Sequence, residues 1–299
     1  MEHSFNSHPK LCLLCDNKTF TKFLYPKDYF LTGEEFGIFQ CDRCGLHITW
    51  PIPAISDLQS YYASENYISH ADKRTGAFGK IYHLVRKYTH RKKFKLINRF
   101  SKGRSILDIG CATGEFLRYC QDKGMIVAGI EPNEKARLYA ISEHNLQIGN
   151  ELDLGSLETA SQDFITMWHV LEHVPDINQR MADISRLLKK DGTAFIALPN
   201  HASYDAGYYK EHWAAWDVPR HLYHFDRKSF QLLASKHGFR VFGIIPMYFD
   251  SYYVSLLSEK YKRGKTSLIN AIFLGFWSNL KAFMGNREYS SLIYVIKKD

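Results

Sequence analysis

The sequence predicts an α/β fold: a doubly wound, mostly parallel sheet with a small cysteine-bearing module in front of it. Three observations predict this. Short apolar runs alternate with helical stretches over residues 104–200, a glycine-rich turn joins the first run to its helix, and two paired-cysteine motifs lie within the first 53 residues. Strand and helix in alternation give a parallel sheet, because each crossover helix returns the chain to the same edge. A length of 299 residues allows a sizeable core and one or two domains.

Hydrophobic residues at 45% and charged residues at 23% are an ordinary globular composition. The net charge of +8 favours anionic partners such as nucleotide sugars, RNA or an anionic membrane surface. Residues 1–10 lack the basic-then-apolar pattern of a signal peptide, and no run of 18 or more apolar residues occurs. A cytoplasmic location is the expectation. Thiols stay reduced there, so closely spaced cysteines read as metal ligands rather than disulfides.

Taken in chain order, Cys12-x-x-Cys15 and Cys41-x-x-Cys44-Gly45 form two knuckles, the arrangement that a tetrahedral Zn2+ site needs. A closed four-cysteine site has no open position for water. Its expected role is therefore structural or in recognition, not catalytic, in a zinc-ribbon-like module spanning residues 1–53 and ending at the turn-prone Trp50-Pro51-Ile52-Pro53. Residues 54–100 read as a helical linker or cap, starting near Ser56 or Asp57 and basic in its second half. Residues 101–299 carry the sheet. The expected order is strand SILDIG, a helix from Gly114, strand MIVAGIE, a helix from Asn133, strand DFITMW, a helix from Asp176 and strand TAFIALPN. An aromatic, histidine-rich loop (201–225) follows, then a helix from Asp226, strand FRVFGIIPM, a helical insertion at about 249–285 and strand SSLIYVI.

In Ile106-Leu107-Asp108-Ile109-Gly110-Cys111-Ala112-Thr113-Gly114 a buried strand turns sharply into a helix, and the small residues at 110, 112 and 114 let a ligand touch backbone. Glu131 ends the next strand twenty-three residues after Asp108, where a carboxylate can accept two ribose hydroxyls. No third glycine completes G-x-G-x-x-G, which counts against a nicotinamide site. His169-Val-Leu-Glu172-His173 matches the H-x-x-E-H zinc-peptidase pattern, but it directly follows an apolar strand and is broken by Pro175. His169 is therefore expected at a strand end, not within a helix.

DIGCATGEF, GIEPN, DFITMWHVLEHVPD and RLLKKDGTAFIALPN together resemble the successive motifs of class I methyltransferases over about residues 100–245. The resemblance implies a seven-stranded Rossmann-like sheet whose last pair, residues 239–247 and 291–296, makes an antiparallel edge. It also implies S-adenosyl-L-methionine as cofactor. Asp108, Gly110 and Gly114 would surround its methionine part, Glu131 would hold its ribose, Leu152 or Glu151 its adenine, and Cys111, Ala112 and Pro132 would also line the cofactor. Trp168 and His169 would flank it from the fourth strand.

The loop Trp213-Ala-Ala-Trp216-Asp217-Val-Pro219-Arg220-His221-Leu-Tyr223-His224-Phe225 lies past a strand end, where acceptor sites of this fold lie. Trp216, Arg220 and Tyr223 are the candidate acceptor contacts, Arg220 because a guanidinium matches phosphate or carboxylate. His221, His173 and His224 are the candidate bases, needed only if the acceptor must lose a proton. The whole layout is similar to the sugar C-methyltransferases. In that likeness His173 and His221 fall near the active-site histidines, while Val218-Pro219-Arg220-His221 replaces a Tyr-x-Glu-His element. An oxygen acceptor is thereby as well supported as carbon, and a small, anionic sugar- or isoprenoid-related acceptor is expected. The rival readings are an RNA methyltransferase using the basic stretch Arg86–Arg99, a peripheral membrane contact through Leu268–Trp277, and a zinc-dependent binding module with an inactive cofactor domain.

Overall fold

The computed structural model describes residues 8–62, 77–100 and 103–299. The sequence expectations for residues 1–7, 63–76 and 101–102 lie outside the described residues. The cysteine module contributes strands β1 (Phe20–Leu24), β2 (Gly37–Cys41) and β3 (His47–Trp50), followed by the short helix α1 (Ile55–Leu58) and the long helix α2 (Ala77–Ile97). Strands β4 (Ser105–Ile109), β5 (Ile126–Ile130), β6 (Ile148–Gly149), β7 (Gln162–Trp168) and β8 (Leu188–Pro199) alternate with α3 (Glu115–Gln121), α4 (Glu134–His144) and α5 (Ile177–Leu187). The C-terminal part adds α6 (Tyr204–Tyr209), β9 (Tyr223–His224), α7 (Arg227–Lys236), β10 (Phe239–Pro246), α8 (Asp250–Arg263), α9 (Leu268–Met284) and β11 (Ser291–Lys298).

The large sheet has seven strands in the order β10-β11-β8-β7-β4-β5-β6. Strands β4 to β8 pair in parallel, and β11 runs antiparallel to both β8 and β10. The one reversed strand therefore lies inside the sheet, and the edge strand β10 shares the direction of the parallel set. This refines the expected antiparallel edge.

Local signals set the helix starts. The side chains of Asn133, Asp176 and Asp226 each accept a hydrogen bond from a backbone N–H in the first turn of α4, α5 and α7, satisfying donors that a helix start leaves unpaired. Gly114 begins α3 with a positive φ of 77°.

A second sheet, β1-β2-β3-β9, was not legible in the sequence. Its fourth strand comes from the histidine-rich loop: His47 pairs with His224 and Ile48 with Tyr223. Thr49 extends the junction, its N–H donating to the Leu222 carbonyl and its hydroxyl to that of His221. Cys12, Leu14, Cys41 and Leu46 belong to the same continuous core as Leu107, Ile109, Ile165 and Ile196 of the large sheet. Asn178 and Lys236 both donate to the Leu13 carbonyl, tying the first knuckle to α5 and α7.

Candidate active site and zinc centre

At the end of β4, the backbone turns with positive φ at Gly110 (75°), Ala112 (49°) and Gly114 (77°). The first and third need glycine for a further reason: a Cβ on Gly110 would lie 2.4 Å from Val170, and one on Gly114 would lie 2.6 Å from Leu146. Buried Glu131 braces the turn, one oxygen accepting from the Ala112 N–H and the other from the Asn133 N–H, each at 2.8 Å. Burial pushes its pKa up, resisted by those two N–H groups. Asp108 lies beneath and accepts from the Thr166 hydroxyl at 2.5 Å. Burial raises it to about 7, against the pull of Thr166 and Lys93.

Phe116 stacks edge-on against Trp168 at 5.6 Å, and Lys93 of α2 places its ammonium 4.0 Å from the centre of the Trp168 ring. Burial lowers Lys93 to about 8, while Asp108 and Asp250 attract its charge. The sequence offered this lysine only as part of a basic helix face. The buried Trp168 Nε1 has no partner within the described residues. Leu152 follows β6 and is 87% exposed, an apolar side chain held out from the surface. Pro132 is exposed, whereas Cys111 is buried. This cradle fits the adenosyl cofactor: a sharp backbone turn at Gly110 to Gly114 at the end of the central strand, the buried Glu131 carboxylate beside it on the next strand, and the exposed apolar Leu152 after β6.

His169 stands at the end of β7 with φ of 58°, as the motif context required. Its Nε2 meets Asp250 at 3.0 Å and its Nδ1 lies 3.5 Å from Glu172. Burial alone would depress its pKa, but the two carboxylates raise it to about 9. Glu172, buried, faces three histidines: His169, His221 at 4.0 Å, and His173, which packs edge-on against His221 at 4.5 Å. Those histidines hold the Glu172 carboxyl below its usual range despite burial. One nitrogen from each of His173 and His221 and one Glu172 oxygen lie within 4.8 Å of one another. The His173 Nδ1 sits 3.0 Å from the Arg220 carbonyl and the His221 Nδ1 2.8 Å from that of Ala215. An N–H donated there leaves Nε2 as the basic nitrogen of each ring. Burial and the neighbouring His221 lower His173 to about 4.

The remaining candidates face inward. Arg220, 1% exposed, bonds Asp217 through Nε and Nη2, Asp28 through Nη2 at 2.8 Å and the Tyr61 carbonyl through Nη1. Nothing in the sequence pointed to Asp28. Trp216 donates to the Lys210 carbonyl, Tyr223 to that of Pro175, and His224 bonds Thr49 at 2.9 Å. All three are buried, so the loop forms a packed wall and not an open rim of polar ligands.

The four paired cysteines converge. Cys12 and Cys44 sulfurs lie 3.5 Å apart, as do those of Cys15 and Cys41, and all four are within 4.8 Å of one another. Zinc–sulfur bonds of about 2.3 Å put tetrahedral sulfurs about 3.8 Å apart, so the set fits a structural Zn2+. Gly45 closes its knuckle with φ of 80° and an N–H to the Cys41 carbonyl. Cys111 and Cys120 take no part in this cluster.

The sheet order, the glycine turn at the end of its central strand and the carboxylate on the next strand define the class I S-adenosylmethionine-dependent methyltransferase fold. A family model described as a methyltransferase domain matches residues 85–242, more than half of the chain, and the chain belongs to that family. It is 32% identical over 110 residues to a ubiquinone biosynthesis O-methyltransferase of Vibrio atlanticus, covering 33% of this chain and 44% of that one. To a Haemophilus ducreyi protein of the same name it is 36% identical over 110 residues, covering 33% and 46%. The chain thus spans under half the length of these relatives. Among solved structures, magnesium protoporphyrin IX methyltransferase from Synechocystis PCC 6803 superposes with a TM-score of 0.54 at 14% identity, over 82% of this chain and 99% of that one. Phosphoethanolamine N-methyltransferase 2 of Haemonchus contortus gives 0.53 at 14%, over 93% and 68%. These two likenesses establish the fold.

Proposed function

We propose that the chain transfers a methyl group from S-adenosylmethionine to an oxygen or carbon atom of a small, anionic sugar- or isoprenoid-related acceptor. The observation that carries this reading is the contact between the cofactor turn and the histidine cluster. Gly110 packs directly on Val170, which follows His169 and is separated from Glu172 and His173 only by Leu171. The bound cofactor supplies an activated sulfonium methyl, so the chain's task is to position, exclude water and move a proton. In this reading Glu131 holds the ribose, Asp108 and the backbone from Gly110 to Gly114 surround the methionine part, and Leu152 lies beside the adenine.

A proton leaving the acceptor goes to Nε2 of His221 or His173. The charge so formed is offset by Glu172, and for His221 also by Asp217 at 3.9 Å. Trp216, Arg220, Tyr223 and His224 hold the His221 loop in place. The named O-methyltransferase relatives support an oxygen acceptor. An RNA acceptor is less well supported, because Arg86 is paired with Glu115 and Lys93 points at Trp168, which removes two cations from the basic face of α2.

The test is incubation with methyl-labelled cofactor and fractionated cell extract. Label in a small polar or lipid-like metabolite, lost in His221→Ala, is expected. Label in RNA would overturn the acceptor assignment.

A further inference from the structure

Helix α9 is amphipathic in the reverse of the usual sense. Its inner face is small, built of Ala271, Gly275, Ser278 and Ala282 with only Leu274 of any bulk. A Cβ on Gly275 would strike Tyr252, and Ser278 donates to Asp205 at 2.6 Å. The bulk faces outward: Ile269, Ile272, Phe273, Phe276, Phe283 and Met284 recur at i, i+3, i+4, i+7, i+14 and i+15, one stripe along the helix. Ile269 is 82%, Phe273 62% and Met284 73% exposed. Isolated exposed apolar residues are ordinary, but an unbroken stripe of aromatic and aliphatic side chains marks a binding surface.

Charge decides what covers it. From Lys260 to Arg287 there are six cations, Lys260, Lys262, Arg263, Lys265, Lys281 and Arg287, and no acidic residue; of these Arg263 is already paired with Glu259 at 2.9 Å. The carboxylates nearest in sequence turn inward: Glu259 is buried, Glu288 pairs with Arg227, and Asp250 bonds His169. A second copy paired on this stripe would bring two all-positive sets together, whereas an anionic bilayer would neutralise both flanks and take up the stripe. Among the described residues no helix is long and apolar enough to cross a membrane, so the contact lies in the plane of the surface.

We infer that α9 docks the protein on anionic lipid membranes, its Phe-rich stripe inserted at the headgroup boundary and its flanking Lys and Arg on the lipid phosphates. The docking stands apart from the choice of acceptor. Asn279 of α9 bonds the Tyr248 carbonyl, two residues before the Asp250 that holds His169, so the docked face adjoins the candidate site.

The test is flotation of the full chain with vesicles of phosphatidylcholine alone or of equimolar phosphatidylcholine and phosphatidylglycerol. We expect binding to the anionic vesicles at least about tenfold stronger than to the neutral ones, weakened by salt and reduced at least about tenfold in Phe273→Ser/Phe276→Ser. The variant's melting temperature and cofactor binding, unchanged, show that its fold is intact. No binding by the wild type to anionic vesicles overturns the inference. So does equal binding to both compositions, or a dimer that the double variant dissolves without any vesicle binding.

Discussion

Glu131 does two jobs with one carboxylate. It accepts one backbone N–H from Ala112 of the cofactor turn and one from Asn133 at the start of α4, and in the proposed function it also accepts ribose hydroxyls. Hydrogen bonds to a charged group contribute about 1.5–3 kcal/mol, so Glu131→Ala should weaken S-adenosylmethionine binding by roughly 10- to 150-fold by calorimetry. Arg220 serves the fold, since its guanidinium neutralises Asp28 and Asp217. Arg220→Ala should destabilise the fold by about 3–5 kcal/mol in denaturant titration, with part regained on adding Asp28→Asn. If Arg220→Ala melted like the wild type while acceptor affinity fell, the arginine would be an acceptor ligand after all. The sequence showed Arg220 as a cation in an aromatic loop, but Asp28 lies 192 residues away and carries no local signal. The same holds for Lys93: a helical periodicity cannot tell which lysine of a basic helix turns toward an acidic cleft.

At the scale of elements, the histidine-rich loop and the cysteine module form one unit. Buried His224 donates to Thr49 of β3 and is held well below its usual pKa by burial and the neighbouring His221, His47 and His201. A depressed folded pKa means that the unfolded chain binds the proton first, so this contribution is present above about pH 6.5 and is lost as pH falls below it. Compared with His224→Gln, whose amide can still reach Thr49, the wild type should lose relative stability by about 1.4 kcal/mol per pH unit between about pH 6.5 and 5. A pH-independent difference in unfolding free energy would contradict a buried neutral imidazole. Zinc held by the four cysteines would act through the same junction. Metal analysis should find one Zn2+ per chain, and a chelator should lower the melting temperature by roughly 10 °C or more and abolish methyl transfer, although no cysteine of the set lies at the cofactor turn. The two knuckles were legible from spacing alone. The β3–β9 pairing was not, because a two-residue strand inside a loop leaves no alternation to read.

For the molecule as a whole, the parallel strands β4, β5, β7 and β8 and the helix starts at Gly114, Asn133, Asp176 and Asp226 were legible, since strand, turn chemistry and cap lie within a few residues of one another, whereas the two-residue β6 and the Ser203 cap of α6 within the expected loop were not. The position of β11 between β8 and β10 depends on pairing across the C-terminal region, and sequence order alone does not give it. In the proposed function the turn at Gly110 and the Glu131 carboxylate bind S-adenosylmethionine for methyl transfer. The most direct measurement is calorimetric titration of S-adenosylmethionine and, separately, of a nicotinamide dinucleotide into the wild type and into Gly110→Val. The substituted side chain would meet Val170 and require a strained φ. Saturable S-adenosylmethionine binding to the wild type at one site per chain is expected, with its loss in a still-folded Gly110→Val and no heat from the dinucleotide. No heat from S-adenosylmethionine, or saturable binding of the dinucleotide in its place, would contradict it.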